Sequence, residues 1–179
     1  MRAMATEKKT AELRRRRKRH QEFIRSLRDA PCSNCGESYH FSSMKFVFNS
    51  TETKIGSFSK LALYSISRIQ EEVKKYVLLC ANCTNYRTFE ANCRKHATYI
   101  NRDFIKDLKI GKPCTDCGRA YHHSQMEFDH PLDNKIRNIS KMQRYSQKRI
   151  LEEVAKCELV CSNCHHLRTW KRLNHSSLP

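Results

Sequence analysis

The feature that most constrains the fold is a frame of four cysteines that occurs twice along the chain. In the second copy, Pro113-Cys114-x-x-Cys117-Gly118 is followed by Cys161-x-x-Cys164-His165. In the first copy, Pro31-Cys32-x-x-Cys35-Gly36 is followed by Cys80-x-x-Cys83-Thr84, and the copies lie about 82 residues apart. Because the cysteine spacing is repeated, the sequence predicts two similar modules, each closed on itself by its cysteines.

The cysteine pairs indicate metal binding. A module of about 60 residues buries too little surface to fold on its core alone, and it usually needs a metal, a disulfide or a partner. The N-terminus is charged and lacks the apolar stretch of a secretory leader, so we expect an intracellular, reducing compartment (cytoplasm, nucleus or organelle) and zinc sites in place of disulfides. Two thiolates of one Cys-x-x-Cys turn reach the same tetrahedral ion. We predict two structural zinc ions, one bound by Cys32, Cys35, Cys80 and Cys83, the other by Cys114, Cys117, Cys161 and Cys164.

The charge of the chain indicates a polyanionic partner. Thirty-five Lys and Arg residues against eighteen Asp and Glu residues give a formal charge of +17, which attracts polyanions. No apolar run approaches the roughly 18 residues of a membrane span, so we expect a nucleic acid as the partner, with no membrane and no small-molecule substrate. The candidate nucleic-acid contacts are Arg14, Arg15, Arg16, Arg17, Lys18, Arg19, Lys135 and Arg168. A solvated tail is the alternative for the run from residue 14 to 19.

Secondary-structure patterns place each zinc module after a short amphipathic helix. Phe23, Ile24 and Leu27 precede the first module with the spacing of one helical face, and the same pattern precedes the second. Ser65 and Ser146 are predicted to cap a helix that leads directly to the second cysteine pair. We therefore predict an α+β fold of two tandem ββα-like zinc modules with a basic helical N-terminus. The expected segments are 1–30 (basic helix), 31–88 (degenerate module), 89–112 (connecting helix), 113–170 (second module) and 171–179 (tail).

The two copies differ in their reactive residues. Asp129, His130 and His165 of the second copy correspond to Val47, Phe48 and Thr84 of the first. An Asp oxygen and a His nitrogen leave most coordination positions of Mg²⁺ or Mn²⁺ open for water and phosphate. A neutral histidine beside them can accept a proton from an attacking water molecule. The pattern predicts one reactive site, in the second module, beside a structural copy.

The second copy resembles the zinc-bound HNH, or ββα-metal, endonucleases. The resemblance depends on Cys-x-x-Cys-Gly, Phe-Asp-His, Lys135 and Glu-Val-x-Lys-Cys-x-Leu-Val-Cys-x-Asn-Cys-His. It covers residues 113–170 well and residues 31–88 as a degenerate copy, and the tandem arrangement is similar to certain restriction and homing endonucleases. The resemblance implies that His130 is the general base and that Asp129 and His165 hold a catalytic Mg²⁺ or Mn²⁺. The middle Asn of the family is missing from its usual place, which leaves Asn134, Asn138 and Asn163 as alternatives.

The function expected from this resemblance is metal-dependent hydrolysis of DNA phosphodiester bonds at a specific site. One reactive site per chain cuts one strand, so cleavage of both strands requires a homodimer, and nicking is the alternative. Two other classes of function stay open at this point. One is a non-catalytic zinc protein that binds DNA, and the other is an RNA-binding component of a ribonucleoprotein.

Overall fold

The computed structural model describes residues 2–49, 61, 63–92, 100–132 and 134–175. Residues 50–60 of the first module, 93–99 of the predicted connecting helix and 176–179 of the tail lie outside the described residues. The described part contains six α-helices and two two-stranded sheets, as expected of an α+β protein. No helix within it combines the length and apolar character needed to cross a lipid bilayer. The chain divides into two compact units, Met1–Leu79 and Cys80–Pro179.

The first unit consists of a long basic helix and a small helix packed with two strands. Its elements are α1 (Arg2–Ser26), β1 (Met44–Phe48), α2 (Ile66–Val73) and β2 (Tyr76–Cys80), whose last residue begins the second unit. Strands β1 and β2 pair with each other. Met44, Leu61 and Ile69 are almost completely buried and form the centre of this small core.

The second unit repeats this arrangement and adds two helices. Its elements are α3 (Ala81–Asn92), α4 (Arg102–Asp107), β3 (Met126–Asp129), α5 (Gln147–Val154), β4 (Glu158–Cys161) and α6 (Ser162–His175). Strands β3 and β4 are antiparallel, with Met126 opposite Cys161 and Asp129 opposite Glu158. Its larger core cluster contains Ile105, Ile139, Met142 and Ile150.

Both helix caps that the sequence predicts are present. The Ser65 side chain accepts a hydrogen bond from the backbone N–H of Arg68 and begins α2. The Ser146 side chain accepts one from the backbone N–H of Arg149 and begins α5. Such a cap satisfies a backbone donor that the first helical turn leaves without a partner.

The elements around the second cysteine pair differ from the predicted arrangement. The sequence predicts a helix directly before the second cysteine pair of each module, whereas the structure has a strand there and a second helix after it. The segments Tyr76–Cys80 and Glu158–Cys161 are rich in Leu and Val, which pack well on a pleated surface. The first cysteine of each pair therefore ends a strand, and the second lies in the first turn of a helix.

The first cysteine pair of each module lies on a tight turn closed by glycine. Gly36 and Gly118 have φ angles of 72° and 69°, values at which a Cβ atom is strained. The Gly36 N–H donates to the carbonyl of Cys32, and the Gly118 N–H donates to that of Cys114. These hydrogen bonds close the turn that carries the first cysteine pair of each module.

Candidate functional site

Two clusters of four cysteines are the clearest candidate metal sites. The first contains Cys32, Cys35, Cys80 and Cys83, and the second contains Cys114, Cys117, Cys161 and Cys164. Within each cluster the four sulfur atoms lie within 4.8 Å of one another. A tetrahedral zinc ion with Zn–S bonds of about 2.3 Å requires sulfur atoms about 3.8 Å apart. Both clusters are therefore compatible with structural zinc.

The second cluster is built by one turn, one strand and one helix. The turn ending at Gly118 presents two cysteines, β4 presents Cys161, and the first turn of α6 presents Cys164. The backbone N–H of Cys161 donates to the sulfur of Cys114 over 3.2 Å. The cluster therefore fixes the position at which α6 begins.

A reciprocal pair of asparagines lies beside the cysteines of α3 and α6. The backbone N–H of Asn82 donates to Oδ1 of Asn163, and the backbone N–H of Asn163 donates to Oδ1 of Asn82, both over 3.1 Å. Asn163, one of the three candidates for the middle Asn, is thus engaged by α3.

The predicted cation ligands of the second copy lie side by side. His165, in the first turn of α6, has its Nε2 3.3 Å from Oδ1 of Asp129 at the end of β3. Its Nδ1 lies 2.9 Å from Oε2 of Glu127, which is two residues before Asp129 on the same strand. The hydrogen bond with Glu127, partly offset by burial, raises the pKa of His165. His165 therefore lies between two carboxylates that project from one face of β3.

Glu127 was not identified from the sequence, and α3 helps to hold it. The Asn85 side chain donates to Oε1 of Glu127 over 3.3 Å and to the hydroxyl of Ser162 over 2.7 Å. Burial alone raises the pKa of Glu127, but the hydrogen bonds from His165 and Ser162 outweigh it and lower the pKa to about 2. Helix α3, which begins directly after Cys80 of the first copy, therefore supports the candidate site of the second copy.

Two arginines of α6 also contact the Asp129 carboxylate. Arg172 Nη2 lies 2.7 Å from Oδ1 and 2.8 Å from Oδ2, and Arg168 Nη1 lies 3.0 Å from Oδ2. Burial raises the pKa of Asp129, but these hydrogen bonds dominate and the pKa is lowered. Arg168, a predicted DNA contact, also pairs with Asp116 and Glu158.

His130 is buried and is held by a glutamate that the sequence analysis did not select. Its Nε2 lies 2.9 Å from Oε1 of Glu153, whose side chain is 2% exposed. The same oxygen accepts hydrogen bonds from the backbone N–H groups of Ile136 and Arg137, and Oε2 binds Lys156 over 2.7 Å. Burial raises the pKa of Glu153, whereas these hydrogen bonds, led by that of Lys156, lower it to about 2. Glu153 is therefore a charged, fully engaged carboxylate beside the imidazole.

The thiol of Cys157 also contacts this imidazole. Its sulfur lies 3.3 Å from Nε2 of His130 and 3.3 Å from the backbone oxygen of Glu153. Burial, followed by the negative charges of Glu153 and Asp129, raises the pKa of this thiol to about 11. Cys157 is therefore a protonated thiol at neutral pH and lies outside both four-cysteine clusters.

The other predicted site residues occupy the surface. Lys135 is exposed and lines a cavity of about 460 Å³ together with Asp129, His130 and Arg172. Asn138 lines a neighbouring cavity together with His165, and Asn134 is exposed. The basic run on α1 is exposed along its whole length: Arg14, Arg15, Arg16, Arg17, Lys18 and Arg19.

The first copy replaces the reactive groups with packing contacts. Phe48, at the position of His130, makes an edge-to-face contact with Tyr76, at the position of Cys157, with ring centroids 5.3 Å apart. Thr84, at the position of His165, donates its hydroxyl proton to the carbonyl of Cys80 over 3.0 Å. At these positions the first copy therefore has packing and backbone contacts in place of ionisable side chains.

Comparison with known proteins provides no relative from which a function could be transferred. Neither the family models, nor the curated proteins, nor the solved structures contain a match to this chain.

Proposed function

We propose that the second unit is a metal-dependent endonuclease that hydrolyses phosphodiester bonds of double-stranded DNA. The observation that supports the proposal most strongly is the 3.3 Å contact between His165 and Asp129, with His130 directly after Asp129 in the chain. At the positions of Asp129, His130 and His165, the first copy has Val47, Phe48 and Thr84. The charge of +17 favours a polyanionic substrate.

Asp129 and His165 are suitable ligands for one Mg²⁺ or Mn²⁺ ion. Adjacent ligands of an octahedral ion with bonds of about 2.1 Å lie about 3.0 Å apart, close to the 3.3 Å between Nε2 and Oδ1. A histidine that binds a metal generally donates its other ring N–H to a carboxylate, as Nδ1 of His165 can do to Glu127. When bound, the ion would stabilise the negative charge on the scissile phosphate and the departing 3′-oxygen.

His130 is the proposed general base. Its Nε2 is engaged by Glu153, so Nδ1 is the ring nitrogen left to accept a proton, and it has no hydrogen-bond partner within the described residues. A water molecule in the adjoining cavity would give its proton to Nδ1 while its oxygen bonds to phosphorus. The bond from phosphorus to the 3′-oxygen then breaks, and that oxygen takes a proton from water.

When DNA binds, Arg172 and Arg168 are proposed to release the Asp129 carboxylate and to bind a phosphate group of the DNA in its place. Arg172 has a 45% exposed side chain and lines the same cavity as His130. Guanidinium groups bind phosphate oxygens as readily as carboxylate oxygens. Transfer of Arg172 to a phosphate oxygen would free the Asp129 carboxylate for the cation, so that substrate and cation bind together.

The remaining parts of the chain have supporting roles in this proposal. The two cysteine clusters hold structural zinc, because four thiolates leave no coordination position for a substrate. The first module and α1 bind and orient the duplex. One reaction centre per chain cuts one strand, and a homodimer would be required to cut both.

A plasmid cleavage assay tests the proposal. The wild-type protein should convert supercoiled DNA to nicked or linear DNA with added Mg²⁺ or Mn²⁺ and leave it intact without a divalent ion. The His130→Ala variant should lose about 10²–10⁴-fold in cleavage rate, because the general base is absent, while its affinity for DNA changes little. His166→Ala, which removes the neighbouring histidine, is the matched control. Equal cleavage by wild type and His130→Ala would refute the assignment.

A further inference from the structure

A second cavity of about 390 Å³ lies beside α4 in the same unit, and we name it the α4 cavity. Its lining includes three cations, Arg102 and Lys106 of α4 and Lys109, together with the rings of Phe89 and His123. Ser124 and Gln143 add polar side chains, and Asp103 is the one carboxylate in its lining among the described residues. None of these residues takes part in the proposed chemistry.

The α4 cavity is rich in cations that are available to a ligand. Arg102 and Lys106 are four residues apart on α4 and therefore project from the same face. Neither forms an ion pair with any residue that the structure describes. Lys109 is more deeply placed, with its ammonium group 2.8 Å from the carbonyl of Met126. An anion in the cavity would meet two free cations and a third nearby.

His123 in this cavity is partly buried and lies close to its positive charges. Burial, followed by the charges of His122, Lys106, Lys109 and Arg102, lowers the pKa of His123 to about 4. The ring is therefore neutral at pH 7 and lies against Phe89, with centroids 5.1 Å apart. The cavity thus offers cations for a phosphate and aromatic surface for the adjoining sugar or base.

The α4 cavity adjoins the candidate reaction centre. A neighbouring cavity of about 300 Å³ is lined by Glu127 and His165, and it shares Ile105, Lys109 and Gln143 with the α4 cavity. A polymer whose reacting phosphate lies at His165 could therefore continue along these shared residues to α4.

At the positions that correspond to Arg102 and Lys106, the first copy replaces one cation and covers an aromatic ring with the other. Arg102 corresponds to Gln21, and Lys106 corresponds to Arg25. The guanidinium group of Arg25 lies over the ring of Phe41, 3.8 Å from its centroid, and Phe41 is at the position of His123. The cationic cavity thus occurs in the same copy as Asp129 and His130.

We propose that the α4 cavity is a phosphate subsite, which holds a phosphodiester group of the DNA strand flanking the scissile bond. This inference rests on the proposed function for the identity of the polymer. Arg102 and Lys106 bind the phosphate oxygens, since a guanidinium and an ammonium group both form charge-assisted hydrogen bonds with phosphate. The Gln143 side-chain amide can donate a further hydrogen bond.

Binding of a 20-base-pair duplex to the zinc-loaded full chain, with no Mg²⁺ or Mn²⁺ added, tests the subsite. Arg102→Gln and Lys106→Gln should each weaken binding by about tenfold, the usual effect of losing one charge-assisted hydrogen bond. Lys148→Gln is the matched control, because it removes the same charge from an exposed position on α5. Arg102→Lys should recover part of the affinity. Losses in both Gln variants no larger than that of the control would overturn the proposal.

The ring resonances of His123 provide a local test by nuclear magnetic resonance. They should shift saturably as the duplex is added to the wild-type protein, and the shift should require more duplex in Lys106→Gln. The same titration with inorganic phosphate should be far weaker. Unmoved His123 resonances at saturating duplex, or a response to inorganic phosphate at equal or lower concentration, would overturn the subsite.

These outcomes are independent of cleavage. If the duplex binds at His123 but is never cut, the subsite is supported and the endonuclease proposal is refuted. If the protein cuts DNA but the His123 resonances do not shift, the endonuclease proposal is supported and the subsite is refuted.

Discussion

Glu153 joins groups that are distant in the sequence. Its carboxylate contacts the imidazole of His130, the ammonium group of Lys156 and two backbone N–H groups of the loop that follows β3. In the first copy, Glu72 is equally buried and pairs with Lys75 over 3.2 Å, although Phe48 takes the place of the histidine. The glutamate is therefore part of the scaffold in both copies and contacts a candidate base in only one.

This comparison predicts different effects of the same substitution in the two copies. Glu153→Gln should lower the cleavage rate at saturating DNA by roughly a hundredfold, because an amide no longer favours the Nε2–H form of His130. The KM for DNA should change little. Glu72→Gln should cost similar stability but leave the cleavage rate unchanged. Steady-state cleavage kinetics and thermal unfolding of both variants provide the measurements, and equal rates in the two variants would contradict a positioning role.

The sequence identified some site residues and missed others for a physical reason. The spacing of the cysteines sufficed for both four-cysteine clusters, because each pair lies on a local turn or helix start. Glu153 and Glu127 were missed because their partners are brought close only by the folded chain, with 23 residues separating Glu153 from His130. The available sequence signal was a glutamate among apolar helix positions that recurs in both copies, as Glu153 and Glu72.

At the scale of the elements, α1 combines length with a dense positive charge. It runs from Arg2 to Ser26, and the side chains from residue 14 to residue 19 are exposed. Like charges at neighbouring helical positions repel one another, so a polyanion lying along the helix would relieve this repulsion. This is the physical basis for the predicted contact between α1 and the DNA backbone.

The salt dependence of DNA binding tests this prediction. Replacing Arg14, Arg15, Arg16 and Arg17 by Ala should weaken binding to all sequences alike and reduce the slope of log K against log salt by up to about 3–4 units. The matched variant with Lys at the same four positions should keep the slope, because the charge is retained. An unchanged slope in the Ala variant would show that the run is a solvated tail.

Whether a helix or strand could be predicted from the sequence depended on its length and on whether its signal is local. Ser65 and Ser146 were sufficient to predict the starts of α2 and α5, since a cap is a local interaction. Strands β2 and β4 were missed because each is only four or five residues long and is stabilised by pairing with a distant strand. The order of elements therefore does not establish the ββα-metal description of the modules, which stays a prediction.

At the scale of the whole molecule, the stability of the second unit should depend on its metal. Its core clusters are small, whereas structural zinc can contribute about 10–16 kcal/mol to folding. Cys161→Ser should lower the zinc content from about two ions per chain to about one and unfold the second unit. Cys157→Ser, which alters a cysteine outside both clusters, should retain both ions. Elemental analysis and circular dichroism are the measurements, and wild-type protein without zinc would contradict the prediction.

The reciprocal asparagines have a consequence for two helix starts. Asn82 and Asn163 occupy the same position of the duplicated frame, and each gives and receives the same hydrogen bond. The backbone N–H groups in the first turn of a helix have no partner within that helix. Each asparagine oxygen therefore caps the other residue's helix, so that α3 and α6 begin by satisfying one another. Loss of either side chain would leave a buried donor without its acceptor at the start of the opposite helix.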